Sequence, residues 1–217
     1  LLTALFATVL LVSNVASTKL VVLGPFTFDG GTLLFPLAYI FGDVLTEVYG
    51  YRKSRRVIWI GFFALLLATL TFQAVAHLPA PPDAESQRFG EAFGLLLGLT
   101  PRIVLGSLLA YFLGEFANAY VLAKLKVRTE GRFFWLRALA STLVGQGLDT
   151  GVFLLVAFYG VFPKEVLLAV FLSNYAFKLG VEALMLPFTY AVVGFLKRAE
   201  GMDAYDRDTD FNPFRLT

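Results

Sequence analysis

Apolar runs broken by glycine, proline and charge recur six times along the chain, over roughly 1–22, 32–48, 57–78, 102–122, 134–158 and 166–195. A membrane-crossing helix takes about 20 residues, so each run is read as a span, the second short and the sixth long enough to tilt or bend. Gly24-Pro25, Gly30-Gly31, Pro79, Pro81-Pro82 and Pro163 all fall between runs, where such residues punctuate helices. Pro101 opens the fourth span at no hydrogen-bond cost, whereas Pro36 and Pro187 lie inside the second and sixth and are expected to kink or open them. Asn14, Ser17, Thr18 and Lys19 make the first run too polar for a signal-peptide core, and it is read as a span. The stretch 89–99, glycine-rich and apolar but stopped by Pro101, predicts a short interfacial or re-entrant helix.

Composition turns that pattern into a class. Of 217 residues, 58% are hydrophobic and 16% charged, with a mean hydropathy of +0.73, where a soluble domain carries about 25% charged residues. The expected fold is an all-α integral membrane protein, one bundle of six transmembrane helices over 1–200 with a polar tail over 201–217, frayed from 203 onward. Arg52, Lys53, Arg55 and Arg56 follow span 2, Lys124, Lys126, Arg128 and Arg132 follow span 4, and Lys197, Arg198, Arg207 and Arg215 follow span 6. The alternate connections are poor in positive charge. The positive-inside rule therefore makes the basic connections and both termini cytoplasmic, with the lipid headgroups as partner of the basic run at 51–56.

A net charge of +2 gives no support to a nucleic-acid partner. No cysteine and a single histidine, His77, leave nothing for disulfides, thiolate zinc sites or a histidine metal centre. No metal or other cofactor is expected. ATP-binding, zinc-protease and serine-hydrolase motifs are missing. Asp149-Thr150-Gly151 spells the aspartic-protease tripeptide without a second copy, and that chemistry needs two carboxylates sharing a proton.

Charged groups at bilayer depth are costly and mark pathways or sites. Lys19, Asp43, Glu47, Glu115, Asp149, Lys178 and Glu182 fall inside the runs, an acidic surplus suited to protons, a cation or a ligand rich in hydrogen-bond donors. Helical spacing puts Thr142, Gly145, Gln146, Asp149 and Phe153 on one face of span 5, and Ser107, Tyr111, Gly114 and Asn118 on one face of span 4 with Glu115 at its edge. Tyr39, Asp43 and Glu47 stack along span 2, and Asn174, Lys178 and Glu182 along span 6. Spans 1, 2, 4, 5 and 6 are thus expected to surround a polar cavity, with span 3 peripheral. Plainer readings exist for several residues: Lys178 pairing with Glu182 along one helix, Glu47 snorkelling to water, Glu115 as a structural group, and the glycines as helix-packing contacts.

The order of these motifs resembles the queuosine precursor transporters of vitamin uptake type. The resemblance rests on Asn14-Val-Ala-Ser-Thr-Lys19, on Phe35-Pro-Leu-Ala-Tyr39 running through Asp43 into Glu47-Val-Tyr-Gly50, and on Arg55 to Trp59. Ser107 with Ala110-Tyr111, Arg137 to Thr142, Gln146 with Asp149-Thr150, and Asn174-Tyr175 with Lys178 and Glu182 extend it over residues 10–198. It implies inner-membrane uptake of 7-cyano- and 7-aminomethyl-7-deazaguanine rather than enzymatic activity. The chemistry agrees: a deazaguanine presents adjacent N–H donors that one carboxylate accepts, a carbonyl that wants an amide or lysine, and a flat ring that wants an aromatic face. The expected substrate site is Glu182, Asp149, Asn174, Lys178, Gln146, Asp43, Asn14 and Tyr39, with Glu47, Lys19 and Pro187 in coupling or gating. A homodimer is left open. The rival readings are a membrane subunit that needs a separate ATP-driven module and, behind it, an intramembrane enzyme.

Overall fold

The computed structural model describes the backbone of residues 1–23, 26–98 and 101–215, and their side chains except those of residues 20, 23, 26–29, 32, 33, 35, 36 and 39. Seven helices are found among the described residues: α1 (Leu2–Ala16), α2 (Phe35–Tyr49), α3 (Tyr51–Ala76), α4 (Ala84–Leu97), α5 (Pro101–Arg128), α6 (Phe134–Phe158) and α7 (Lys164–Glu200). Of these, α3, α5, α6 and α7, with 26, 28, 25 and 37 residues, are long and apolar enough to cross a membrane. At 1.5 Å per residue the 15 residues of α1 and the 15 of α2 reach only about 22 Å.

The first apolar run is thus not one helix to residue 22. Ser17 returns both its hydroxyl and its N–H to the Ser13 carbonyl at 2.8 and 2.9 Å, and the Thr18 hydroxyl donates to Val15 O. These bonds use up the last helical carbonyls, and the β-branched pair Val21-Val22 then favours extended backbone. Strands β1 (Leu20–Leu23) and β2 (Phe26–Asp29) pair antiparallel with Leu20 opposite Asp29. A 3₁₀ turn, Gly30–Leu33, leads into α2. Gly30 is required there, since a Cβ would stand 2.6 Å from the carbonyl oxygen of Ala16. Pro36 does not kink α2; it sits in the first turn, where no helical hydrogen bond is lost.

The predicted short helix at 89–99 begins earlier, as α4, because Asp83 caps it by accepting from Ser86 N at 2.8 Å. No residue of α4 is buried. α5 and α6 pack backbone to backbone: a Cβ on Gly114 would meet the Asp149 Cβ at 2.8 Å, and one on Gly145 the Asn118 Cβ at 2.8 Å. The packing role of these glycines is therefore realised. α7 runs unbroken through Pro187.

The tail departs most from expectation. Far from fraying, residues 203–215 lie as a strap across the ends of α2, α3 and α5. Ala204 N donates to Val48 O, the buried Asp206 carboxylate accepts from Tyr51 N at 2.9 Å, and Tyr51 Oη donates to Phe211 O. Arg55, fully buried, donates to the carbonyls of Asp210 and Asn212 at 2.9 and 2.6 Å, and Trp59 Nε1 to that of Pro213 at 2.8 Å. Phe214 packs on Trp59 and Phe112. Gly50, at φ +80°, makes room, since a side chain there would strike Ala204 and Asp206. Arg55 is thus a structural donor as well as part of a basic run.

Candidate functional site

Two clusters of charge occupy the bundle. One lies at the end carrying the basic connections. Glu47, 1% exposed, draws three cations onto Oε1: Lys197 Nζ at 2.7 Å, Arg137 at 2.9 Å and Lys126 Nζ at 3.6 Å. Lys126 and Lys197 also bind the tail's Asp203 at 2.5 and 2.9 Å. Lys126 further donates to the carbonyls of Glu47 and Ala204, and Arg137 to Thr129 Oγ1 and the Arg132 carbonyl. Glu47 therefore does not snorkel to water; it joins α2, α5, α6, α7 and the strap.

The second cluster lies in the middle of the bundle, one turn along α2. Asp43, 3% exposed, accepts from Asn118 Nδ2 of α5 at 3.2 Å. Its carboxyl also meets that of Glu182 on α7, itself 5% exposed and accepting from the Thr142 hydroxyl of α6. Lys178 bonds to Asp149 across the α6–α7 seam at 2.9 Å, with Thr150 Oγ1 at 3.5 Å. The Lys178–Glu182 pairing along one helix is thereby replaced by pairing across two. Glu115 enters beside Gly42, where a Cβ would lie 3.5 Å from its Oε2, and its charge acts on Asp43, Asp149 and Glu182.

Four carboxyl groups therefore share the middle with one ammonium. Glu182 Oε2, Asn118 Oδ1 and Gln146 Oε1 are buried without a hydrogen-bond donor among the described residues. Buried acceptors of this kind cost about 1–3 kcal/mol each until something donates to them. The cavity that Glu115 and Asn118 line with Phe6, Gly42, Leu45 and Thr46 has a volume of 10 Å³, room for about one water.

Asp43, Gln146, Asp149, Lys178 and Glu182 of the expected site are brought together. Asn174 is one turn from Lys178 but exposed. Asn14 is exposed and returns its amide to Leu10 O. Lys19 is exposed and lies beyond α1, immediately before β1, so it is no intrahelical charge. The side chain of Tyr39 lies outside the described residues. Pro187, exposed, sits five residues past Glu182. The expected site omits Glu115, Asn118 and Thr142. The helical faces already grouped Thr142 with Asp149 and Asn118 beside Glu115, but only the glycine contact between α5 and α6 shows that those two faces meet.

A family model described as "Putative vitamin uptake transporter" matches residues 29–192. The chain is 36% identical over 188 residues, 86% of its length and 80% of the relative's, to the "Probable queuosine precursor transporter" of Bacillus subtilis. It is 27% identical over 168 residues, 75% of its length, to the "Queuosine precursor transporter" of Escherichia coli K12, which it covers to 71%. The chain belongs to the queuosine precursor transporter family. The "Probable queuosine precursor transporter" of Haemophilus influenzae is 26% identical over 166 residues, 75% of the chain and 67% of the relative. No solved structure matches the chain. With the four long apolar helices, family membership makes this a membrane protein, and the residues matched by the family model include the middle cluster and Glu47, Lys126 and Arg137, but not Lys197, Asp203 or the rest of the strap.

Proposed function

We propose that this protein imports 7-deazaguanine precursors of queuosine, the 7-cyano and 7-aminomethyl bases, across the bacterial inner membrane and catalyses no reaction of its own. The observation that carries this reading is the middle cluster, where α5, α6 and α7 hold buried acceptors without donors among the described residues, at positions the family model covers. A 7-deazaguanine offers the missing donors as one edge, N1–H beside the 2-amino group. In this reading Glu182 or Asp149 accepts that edge, Gln146 and Asn118 take other polar positions on the base, and Lys178 holds Asp149 in place across the α6–α7 seam. Asn174, Asn14 and Tyr39 come in when helices part.

α1 and α2 complete six passes, with the β-hairpin and α4 on the outer side and the strap and both termini in the cytoplasm. α4, with Glu85, Arg88 and Glu91 in its first turns, lies at the interface. Pro187 withholds a hydrogen bond from the turn after Glu182 and lets α7 flex there, so Pro187→Ala slows uptake more than it weakens binding.

The deciding test is a thermal-shift and uptake panel of guanine, adenine, both 7-deazaguanines and common vitamins on the purified, reconstituted protein. A selective rise in melting temperature with 7-deazaguanines, and their uptake without an ATPase partner, is expected. No response to either base refutes the reading. Because the chain has no cysteine, a cysteine placed at Ser86 reports orientation; labelling by an impermeant reagent from the cytoplasmic side alone overturns it.

A further inference from the structure

Two of the middle carboxyls are paired in a way that ordinary hydrogen bonding does not satisfy. Asp149 has the Lys178 ammonium at 2.9 Å. Asp43 and Glu182 have no cation bonded to them among the described residues; they have each other. The outer bonds are made, Asn118 Nδ2 to Asp43 Oδ1 and the Thr142 hydroxyl to Glu182 Oε1. That leaves Glu182 Oε2 buried and without an N–H or O–H donor among the described residues, on a carboxyl that meets a second one. Two carboxylate oxygens are both acceptors and repel unless one carries hydrogen.

We propose that Asp43 and Glu182 form a proton-binding site that joins α2 to α7, and that the proton taken up there travels inward with the substrate. The second half rests on the transport reading above; the first does not. Among the described residues no charged group forms an ion pair with either carboxyl. α2 adds Glu47, already committed to three cations. α5 adds Glu115, α6 adds Asp149, and α7 adds Lys178, which is bonded to Asp149. α1 has no ionisable side chain, and the charged residues of α3, Arg52, Lys53, Arg55 and Arg56, are at its basic end. Two carboxyls that meet in such surroundings are bridged by a hydrogen carried on one of them.

The consequence is mechanical. α2 packs on α7, and with the proton in place the two carboxyls share an O–H···O bond that closes this seam. Loss of the proton to solution leaves two carboxylates repelling across it, and the seam opens. A proton arriving from the outer solution thus closes the helices around the base, whose N–H edge is then left to Asp149, and its departure to the cytoplasm lets them part again. Bond order is conserved throughout, as one O–H is formed from a hydronium and later returned to water.

The test has two arms. In the first, melting of the ligand-free protein is followed from about pH 5 to about pH 9, for wild type, Asp43→Asn and Glu182→Gln. An amide supplies a donor that cannot be lost, so each variant keeps the α2–α7 hydrogen bond and sheds its pH dependence. Groups outside the middle cluster titrate equally in all three proteins, and the comparison is made in a Glu115→Gln background so that this neighbouring carboxyl contributes to none of the curves. The wild-type midpoint is expected to fall by roughly 3 °C or more relative to the variants as pH rises, since about 1 kcal/mol shifts Tm by 2–4 °C at this size. Should one variant fail to fold, the other makes the same comparison. Parallel curves overturn the proton site.

In the second arm, proteoliposomes holding wild-type protein take up 7-cyano-7-deazaguanine with the outside one pH unit more acidic and the membrane potential clamped. Accumulation up to about tenfold above equilibrium, abolished by a protonophore, is expected. Uptake that stops at equilibrium despite the gradient overturns proton coupling. If the melting curves separate as expected but the base neither binds nor enters, the proton site stands and the substrate reading falls.

Discussion

Glu47 and Asp43 are one helical turn apart on α2, both buried to within 3%, and their surroundings are opposite. Around Glu47 the protein supplies Arg137, Lys126 and Lys197 against two acids, Glu47 and Asp203. Around Asp43 it supplies Lys178 against Asp43, Glu115, Asp149 and Glu182. Glu47 Oε2 is also buried without a hydrogen-bond donor among the described residues, but the three cations on Oε1 meet the charge itself, and a carboxylate so neutralised is a joint. One left among other acceptors is unfinished until a donor arrives. The difference teaches that depth and burial do not by themselves mark a site; the balance of donors and acceptors around the group does.

The comparison breaks first at its structural half. Glu47→Ala strands the buried Arg137 and Lys126, and the expected loss is about 3–5 kcal/mol of stability, read as a steep drop in melting temperature or a failure to accumulate. A loss under about 1 kcal/mol means the joint is not where the fold is held. At the other cluster, Glu182→Gln and Asp149→Asn replace an acceptor by a donor. Each is expected to weaken 7-deazaguanine binding by about 2–4 kcal/mol, roughly 30-fold to 1000-fold, with Glu115→Gln milder because Glu115 is not among the groups proposed to accept the base's N–H edge. Wild-type affinity in both of the first two, folded, refutes the assignment.

The strap offers a smaller effect at the structural end. Asp206→Ala leaves the Tyr51 N–H buried without its acceptor, at a cost of about 1–3 kcal/mol in thermal unfolding; an unchanged midpoint means that the strap does not hold α3. Smallest is an acid effect at Asp203. Partial burial opposes ionisation of Asp203, but hydrogen bonds from Lys126 and Lys197 outweigh it and hold the carboxyl below its ordinary range. Its contribution is therefore complete above about pH 4 and is lost as pH falls through the lower, folded-state value. Wild type should lose its advantage over Asp203→Asn on acidification below that point, and a constant difference down to about pH 2 contradicts the pairing.

Each of the six apolar runs overlaps a helix because burying or lipid-facing surface demands long apolar segments, and that demand is written locally. The ends of α1 and the start of α4 were less legible, as hydroxyl and carboxylate bonds at Ser17, Thr18 and Asp83 settle them within a residue or two. The strap was illegible. Its residues are polar and without helical period, and what retains them, Gly50, Arg55 and Trp59, is some 150 residues earlier in the chain.

By itself the sequence determined that the chain is helical and membrane-embedded, that its acids outnumber its bases within the apolar runs, and that α6 and α7 each present a polar stripe, since composition and the 3.6-residue period need no neighbour to be read. Tertiary structure alone decided which acid received cations and which did not. It sent Lys178 to Asp149 rather than Glu182, brought Asn118 and Glu115 into the middle through the Gly114–Gly145 contact, and left Asn14 and Lys19 outside. The reason is that the strength of a buried charge's interaction depends on distances of a few ångströms across helices, and those distances are set by how closely the helices pack.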